Sequence, residues 1–244
     1  MTNFEDKKPR KGCKDVFNAY MVNEATFTGE FDIPVCLTDK IEIPERVIAY
    51  DLTKSSTDYE AYVHFYIDDQ KFDGPQGIWN NPKKALDRLR KFKGVITPDF
   101  STNIDFPVSL KIFNTYKMRA FGCWLRSNGI NVINNVRWSE PNSYNYCFDG
   151  IPKNSIISIG TIGCIKDSSY WDLYQKGLDE MIERLEPKII LVYGRSPDKF
   201  FKKYKDKGII IHQYESQTSL AFRKKELEWN HHLDFIKTPL ELKH

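Results

Sequence analysis

Ser155-Ile156-Ile157-Ser158-Ile159-Gly160-Thr161 and Lys188-Ile189-Ile190-Leu191-Val192-Tyr193-Gly194 decide the fold. Each is a short, nearly continuous apolar run that stops at a glycine or polar step, which is the pattern of a strand buried on both faces. Between them, over 170–186, Trp171, Tyr174, Leu178, Met181, Ile182 and Leu185 recur at helical spacing, and Pro187 ends the run. Strand, amphipathic helix, strand is the β-α-β unit of a parallel sheet.

Working outward, three more runs share the form: Gly94-Val95-Ile96-Thr97-Pro98-Asp99-Phe100, 131–138 and Gly208-Ile209-Ile210-Ile211-His212. Two earlier segments, 46–52 and 60–67, also read as strands. Asn81 as N-cap with Pro82 behind it predicts a helix carrying Leu86, Leu89 and Phe92, closed by Gly94. Pro107 predicts the start of a long helix running to about Gly129, with Leu110, Phe113, Ala120, Phe121 and Trp124 toward the core. Within it Gly122 signals close packing or a break. A further helix is expected over 198–205, where Ser196 can cap and Pro197 fits the first position. The stretch 139–154 is too long for an ordinary connection and shows no helix, so it predicts an excursion in place of a standard crossover. The expected class is α/β, a mainly parallel sheet with flanking helices, either an open doubly wound sheet or an irregular barrel. The expected division is a polar arm over 1–30, an α/β domain over 31–215 and a charged, helical tail over 216–244.

The chain has 244 residues and a formal net charge of +3, too small by itself to imply a nucleic-acid protein. Five scattered cysteines without a CxxC pair read as reduced thiols, which argues against a zinc ribbon or a disulfide framework. No apolar run reaches membrane-spanning length and the first residues lack the pattern of a secretory leader, so the expectation is a cytoplasmic protein without a membrane partner. The sequence carries no signal of oligomeric state. Lys7, Lys8, Arg10, Lys11 and Lys14 form a basic cluster that suits a solvated arm or a phosphate-contacting one.

Ligands of parallel sheets sit beyond the carboxyl ends of the strands. Those ends carry Asp51, Asp68, Asp69, Asp99, Arg137, Glu140, Thr161, Gly163, Tyr193, Gly194, Arg195 and His212. Asp99, Glu140 and Asp149 are the candidate catalytic residues, because paired carboxylates hold a divalent metal or serve as acid and base. The sequence names no cofactor beyond that suitability for a metal. Arg137 and Arg195 suit bidentate phosphate contacts. The glycine-rich turn with Thr161, Gly163 and Cys164 offers backbone N–H groups to an anion, although it is neither GxxxxGK[ST] nor GxGxxG. Tyr144 completes the substrate-binding candidates. His212 is the histidine best placed for acid-base work, and the adjacent His231-His232 lack zinc-pair spacing.

The strings 94–100, 131–138, Phe148-Asp149-Gly150-Ile151-Pro152-Lys153-Asn154-Ser155, Gly160-Thr161 and Val192-Tyr193-Gly194 resemble an uncharacterised family of prophages and mobile elements, domain of unknown function 4417, over residues 30–215. The resemblance implies a phage or mobile-element origin and transfers no catalytic residue. Two functional expectations follow from the strand ends and stay open: an enzyme on a nucleotide or nucleic-acid phosphate, or a non-catalytic protein binding a host protein, nucleic acid or small nucleotide. Exposed aromatics around Tyr144 would favour the second.

Overall fold

The computed structural model describes residues 15–165, 167–223 and 225. The basic cluster at Lys7–Lys14, Cys13 and the tail bearing Trp229, His231 and His232 lie outside the described residues.

Seven strands form one sheet: β3 (Val47–Ala49), β4 (Tyr62–His64), β5 (Gly94–Ile96), β6 (Asn131–Asn135), β7 (Ile156–Gly160), β8 (Ile189–Tyr193) and β9 (Ile210–Tyr214). Every neighbouring pair is parallel, and the order across the sheet is the order along the chain. A doubly wound sheet requires that order to reverse once, so of the two arrangements left open by the sequence the curled one is realised. The curl is visible in side-chain contacts. In a flat sheet β4 and β8, four strands apart, would be separated by about 19 Å. Instead the His64 and Tyr193 rings lie 4.2 Å apart. The two sheet edges are not paired, so the sheet is a half-barrel. The Tyr214 hydroxyl at the end of β9 bonds the carbonyl of Pro44 just before β3, linking the two edges across the concave side.

The period-2 alternation of strand side chains divides the core in two. On the convex side Val95, Val132, Ile157, Ile159, Ile190 and Val192 meet α1 (Pro82–Leu89), α2 (Val108–Ser127), α3 (Trp171–Leu185) and α4 (Asp198–Lys205). Phe121 of α2 and Leu178 of α3 are fully buried there; each such side chain stabilises by about 1.5–3 kcal/mol. On the concave side Tyr62, Ile96, Ile133, Ile156, Ile189 and Leu191 fill the floor. A small antiparallel hairpin, β1 (Phe27–Thr28) and β2 (Ile33–Pro34), precedes the sheet, and the 3₁₀ turn Ala19–Val22 buries Met21 and Val22 in the convex core.

Gly122 marks close packing without a break. A Cβ there would lie 2.6 Å from Cys36 Sγ and 2.7 Å from a Thr97 methyl. Several local expectations give way to tertiary demands. Gly94 does not close α1, which ends at Leu89; it opens β5, where the Tyr62 ring occupies the space a Cβ would need. The Asn81 side chain makes no cap bond and instead reaches the carbonyls of Pro75 and Gly77. Pro197 itself precedes α4, while Ser196 bonds Gln213 Oε1 from its amide and its hydroxyl. Leu110 and Phe113 face outward, 40 % and 45 % exposed, because the buried side of the first turns of α2 is taken by Lys111, Asn114 and Thr115. The crossover from β6 to β7 contains only the 3₁₀ turn Pro141–Asn145; Tyr144, Tyr146, Cys147, Phe148 and Ile151 fill the place of a helix in the convex core.

Candidate functional site

Parallel register determines which strand-end residues meet. Ile96 of β5 pairs with Ile133 of β6, so Asp99 and Arg137, three and four residues on, emerge side by side. Arg137 Nη1 donates to Asp99 Oδ2 at 2.6 Å. Asn135 Nδ2 holds the other Asp99 oxygen at 2.8 Å, and Arg137 Nη2 reaches Asn103 Oδ1 at 3.3 Å. Burial works against the Arg137 charge, but Asp99, Cys164 and Asp69 together outweigh it and the net shift is upward, so the guanidinium stays charged.

The network extends across four strands. The Tyr66 hydroxyl, just past β4, donates to Asn135 Oδ1 at 2.9 Å and lies 2.7 Å from the Ser158 hydroxyl of β7. Tyr66 also stacks on Tyr193 of β8 at 5.0 Å. His64 accepts the Tyr66 amide at Nδ1, and burial lowers its pKa to about 3, so it is neutral. Asp69 is held by the amide and hydroxyl of Ser101 at 3.1 and 3.0 Å. Burial pushes the Asp69 carboxyl up, nearby Asp99 adds to the rise, and Arg137 opposes it. Cys164, exposed in the turn beyond β7, has its thiol pKa raised by the protein around it and by Asp99, with Arg137 opposing.

The remaining candidates go elsewhere. Glu140 turns over the rim to α2, where the buried Lys111 donates to it at 2.5 Å and the Ser139 hydroxyl at 2.5 Å. Burial alone would raise its carboxyl, but those bonds hold it below the usual range. Asp149 lies on the convex side against Gly29 and near Arg119 and Arg184, its carboxyl raised by burial. Tyr144 is 9 % exposed and stacks on Phe148. Thr161 is buried, its hydroxyl bonded to the Arg195 carbonyl at 2.8 Å. Gly163 adopts φ +80° in an open turn, which suits glycine, and Arg195 projects into solvent. His212 is half-buried on β9, its ring 4.7 Å from Tyr214. The aromatics at 144–148 therefore form core, not an exposed recognition surface.

Among the described residues no group of three or more His, Cys, Asp or Glu side chains is placed to hold a metal ion. Asn135, Tyr66 and Ser158 were not singled out in the sequence. The one signal available for Asn135 was its position, two residues before Arg137 on a strand whose alternation puts both on the same face.

Among the described residues no helix is long and apolar enough to cross a membrane. The chain is 32% identical over 188 residues to the "Gene 1 protein" of Mycobacterium phage L5, covering 75% of this chain and 79% of that one. It is 30% identical over 188 residues to the "Gene 1 protein" of Mycobacterium phage D29, covering 75% of this chain and 67% of that one. No solved structure matches it. A family model described as Domain of unknown function (DUF4417) matches residues 25–215, which contain the whole seven-stranded sheet and its rim, and the chain belongs to that family.

Proposed function

We propose that the mouth of the half-barrel binds a phosphate-bearing substrate, a nucleotide or the end of a nucleic-acid strand, and acts on it by acid-base chemistry. The observation that carries this reading is the pair of unlike carboxyls beside one arginine. Asp99 is ion-paired with Arg137 at 2.6 Å, whereas Asp69 bonds only the amide and hydroxyl of Ser101 and burial shifts its carboxyl upward. Two neighbouring carboxyls, one paired with a cation and one not, are suited to separate roles in proton transfer. Arg137 contacts the anion with its solvent-facing donors, Asp99 and Asn103 fix its plane, and Asp69 is the group that exchanges a proton with the substrate. Glu140, neutralised by Lys111, and Asp149, on the other side of the sheet, stand outside this scheme.

The second reading is recognition without chemistry. It is favoured by the mutual satisfaction of Asp99 and Arg137, which leaves few free donors at the rim. One experiment separates them. Thermal shift with a panel of nucleotides and short oligonucleotides identifies a binder, since a ligand of the native state raises apparent stability. Turnover of that binder is then followed for Arg137→Ala and Asp69→Asn. Catalysis requires that Asp69→Asn keep binding and lose turnover while Arg137→Ala loses both. Binding without turnover, lost only in Arg137→Ala, leaves recognition standing. A panel without any shift removes both readings.

A further inference from the structure

We infer that a groove on the outer flank of α1 binds a single strand of nucleic acid through its phosphates. Two adjoining concavities of about 450 and 340 Å³ lie there, with Lys54, Lys84 and Arg88 common to both walls. The first also contains the ion pairs Lys71–Asp51 and Asp73–Lys117, each closed at 2.7 and 2.9 Å, so those carboxylates are already neutralised. What remains is Lys54, Lys84, Arg88 and Lys91 against Asp87 alone. Among the described residues Lys54, Lys84 and Lys91 have no ion-pair or hydrogen-bond partner, and all three are exposed. The Arg88 guanidinium lies 4.8 Å over the Tyr50 ring, which fixes its stem without neutralising it.

The arrangement is a row and not a scatter. Lys84 and Arg88 stand at i and i+4 on one face of α1, and Lys91 follows in the turn just past its end. At about 1.5 Å per residue Lys84 and Arg88 are roughly 6 Å apart along the axis. With one phosphate to each cation, Lys84, Arg88 and Lys91 offer three contacts to a strand laid along the groove, and Lys54 supplies a fourth from the opposite wall. Tyr59 lines the second concavity at 44 % exposure, its ring edge-on to Phe92 at 5.5 Å. A cationic track beside an exposed aromatic ring is how proteins hold single strands, with charge on the backbone and stacking on a base. An acidic protein segment would satisfy the lysines but leave Tyr59 without a partner. The cations also stand against local stability: the first turn of α1 has no acidic residue and includes Lys83 and Lys84, where the helix dipole favours anions.

The groove is separate from Asp99 and Arg137, and its assignment does not rest on the function proposed for the rim. The test is fluorescence anisotropy of the full chain with a labelled oligothymidylate of about a dozen nucleotides, within the usual site size, over a series of salt concentrations. Four contacts on a single strand give a log-log salt slope of about −3. Lys84→Ala/Lys91→Ala is expected to weaken binding at least tenfold at low salt and to reduce the slope by about 1.4, at about 0.7 per contact. Lys54→Ala, on the other wall, is expected to reduce it by about 0.7. Tyr59→Ala weakens binding with the slope unchanged, and Lys207→Ala, an exposed lysine past α4 and outside both concavities, leaves both unaltered. Thermal melts verify that each variant is folded. The proposal is overturned by absence of salt-sensitive binding or by retention of full affinity in both lysine variants. Loss of binding in Lys207→Ala, or displacement of the oligonucleotide by polyglutamate at equal charge, overturns it equally.

Discussion

Two arginines, one on each face of the same sheet, show how differently the faces are used. Arg119, on α2, is wholly buried on the convex side. Its Nε, Nη1 and Nη2 donate to the carbonyls of Asp149, Asn135 and Cys147 at 3.1, 2.9 and 3.1 Å. Burial lowers its pKa to about 10, so it remains charged at neutral pH, spread over three main-chain dipoles. It fastens the helix-free crossover to the end of β6. Arg137, on the concave side, instead faces a carboxylate and an amide and keeps 27% of its side chain in solvent. A cation satisfied by main chain is structural, whereas one held by a single carboxylate at a mouth is placed for exchange with another anion.

The largest effect that would test this contrast is at Arg119. Arg119→Ala leaves three buried carbonyls unpaired and should destabilise by about 3–5 kcal/mol, read from urea midpoints. Arg119→Lys should recover only part, because an ammonium lacks the planar fork. Next, Gly94→Ala pushes a methyl into the Tyr62 ring on the concave floor and should cost about 1–3 kcal/mol. A neutral outcome would mean that the floor is loosely packed and the two faces differ less than drawn here.

His64 gives a pH-dependent test. Its folded pKa of about 3 lies below the ordinary 6.5, so the unfolded state binds the proton first. Its contribution is complete above pH 6.5 and declines as pH falls, by about 1.4 kcal/mol per unit, or about 2 kcal/mol by pH 5. In His64→Gln that acid limb should flatten in melts collected between pH 7.5 and 5. The smallest stability effect belongs to Arg137. A partly exposed pair contributes about 1 kcal/mol or less, so Arg137→Ala should melt close to wild type while losing ligand binding. If it unfolds as readily as Arg119→Ala, the rim pair is scaffold and the contrast fails.

The sheet was legible where burial on both faces forces continuous apolar runs, as in Ile156–Ile159 and Ile189–Val192. It was less legible in β3 and β4, which are three residues each and give way at once to 3₁₀ turns and loops. Asp99 and Arg137 could be paired in advance because they follow adjacent strands at matching height. Glu140 and Asp149 could not be placed, because beyond Trp138 the chain has no regular period to project. It is drawn to α2 by Lys111 and then down the convex side. The burial of Tyr144, Tyr146 and Phe148 was invisible for the same reason: aromatics that replace a missing helix have no helical spacing to reveal them.

Strand order that follows chain order has a consequence for synthesis. Each strand meets its only earlier neighbour as soon as it leaves the ribosome, so the sheet can grow by accretion without waiting for distant partners. Contacts across the concave side, such as His64 with Tyr193, are the exceptions, and among them the tie between Tyr214 and Pro44 joins residues 170 apart. It can form only when the last strand has been made, which sets the final latch on a molecule otherwise assembled in sequence.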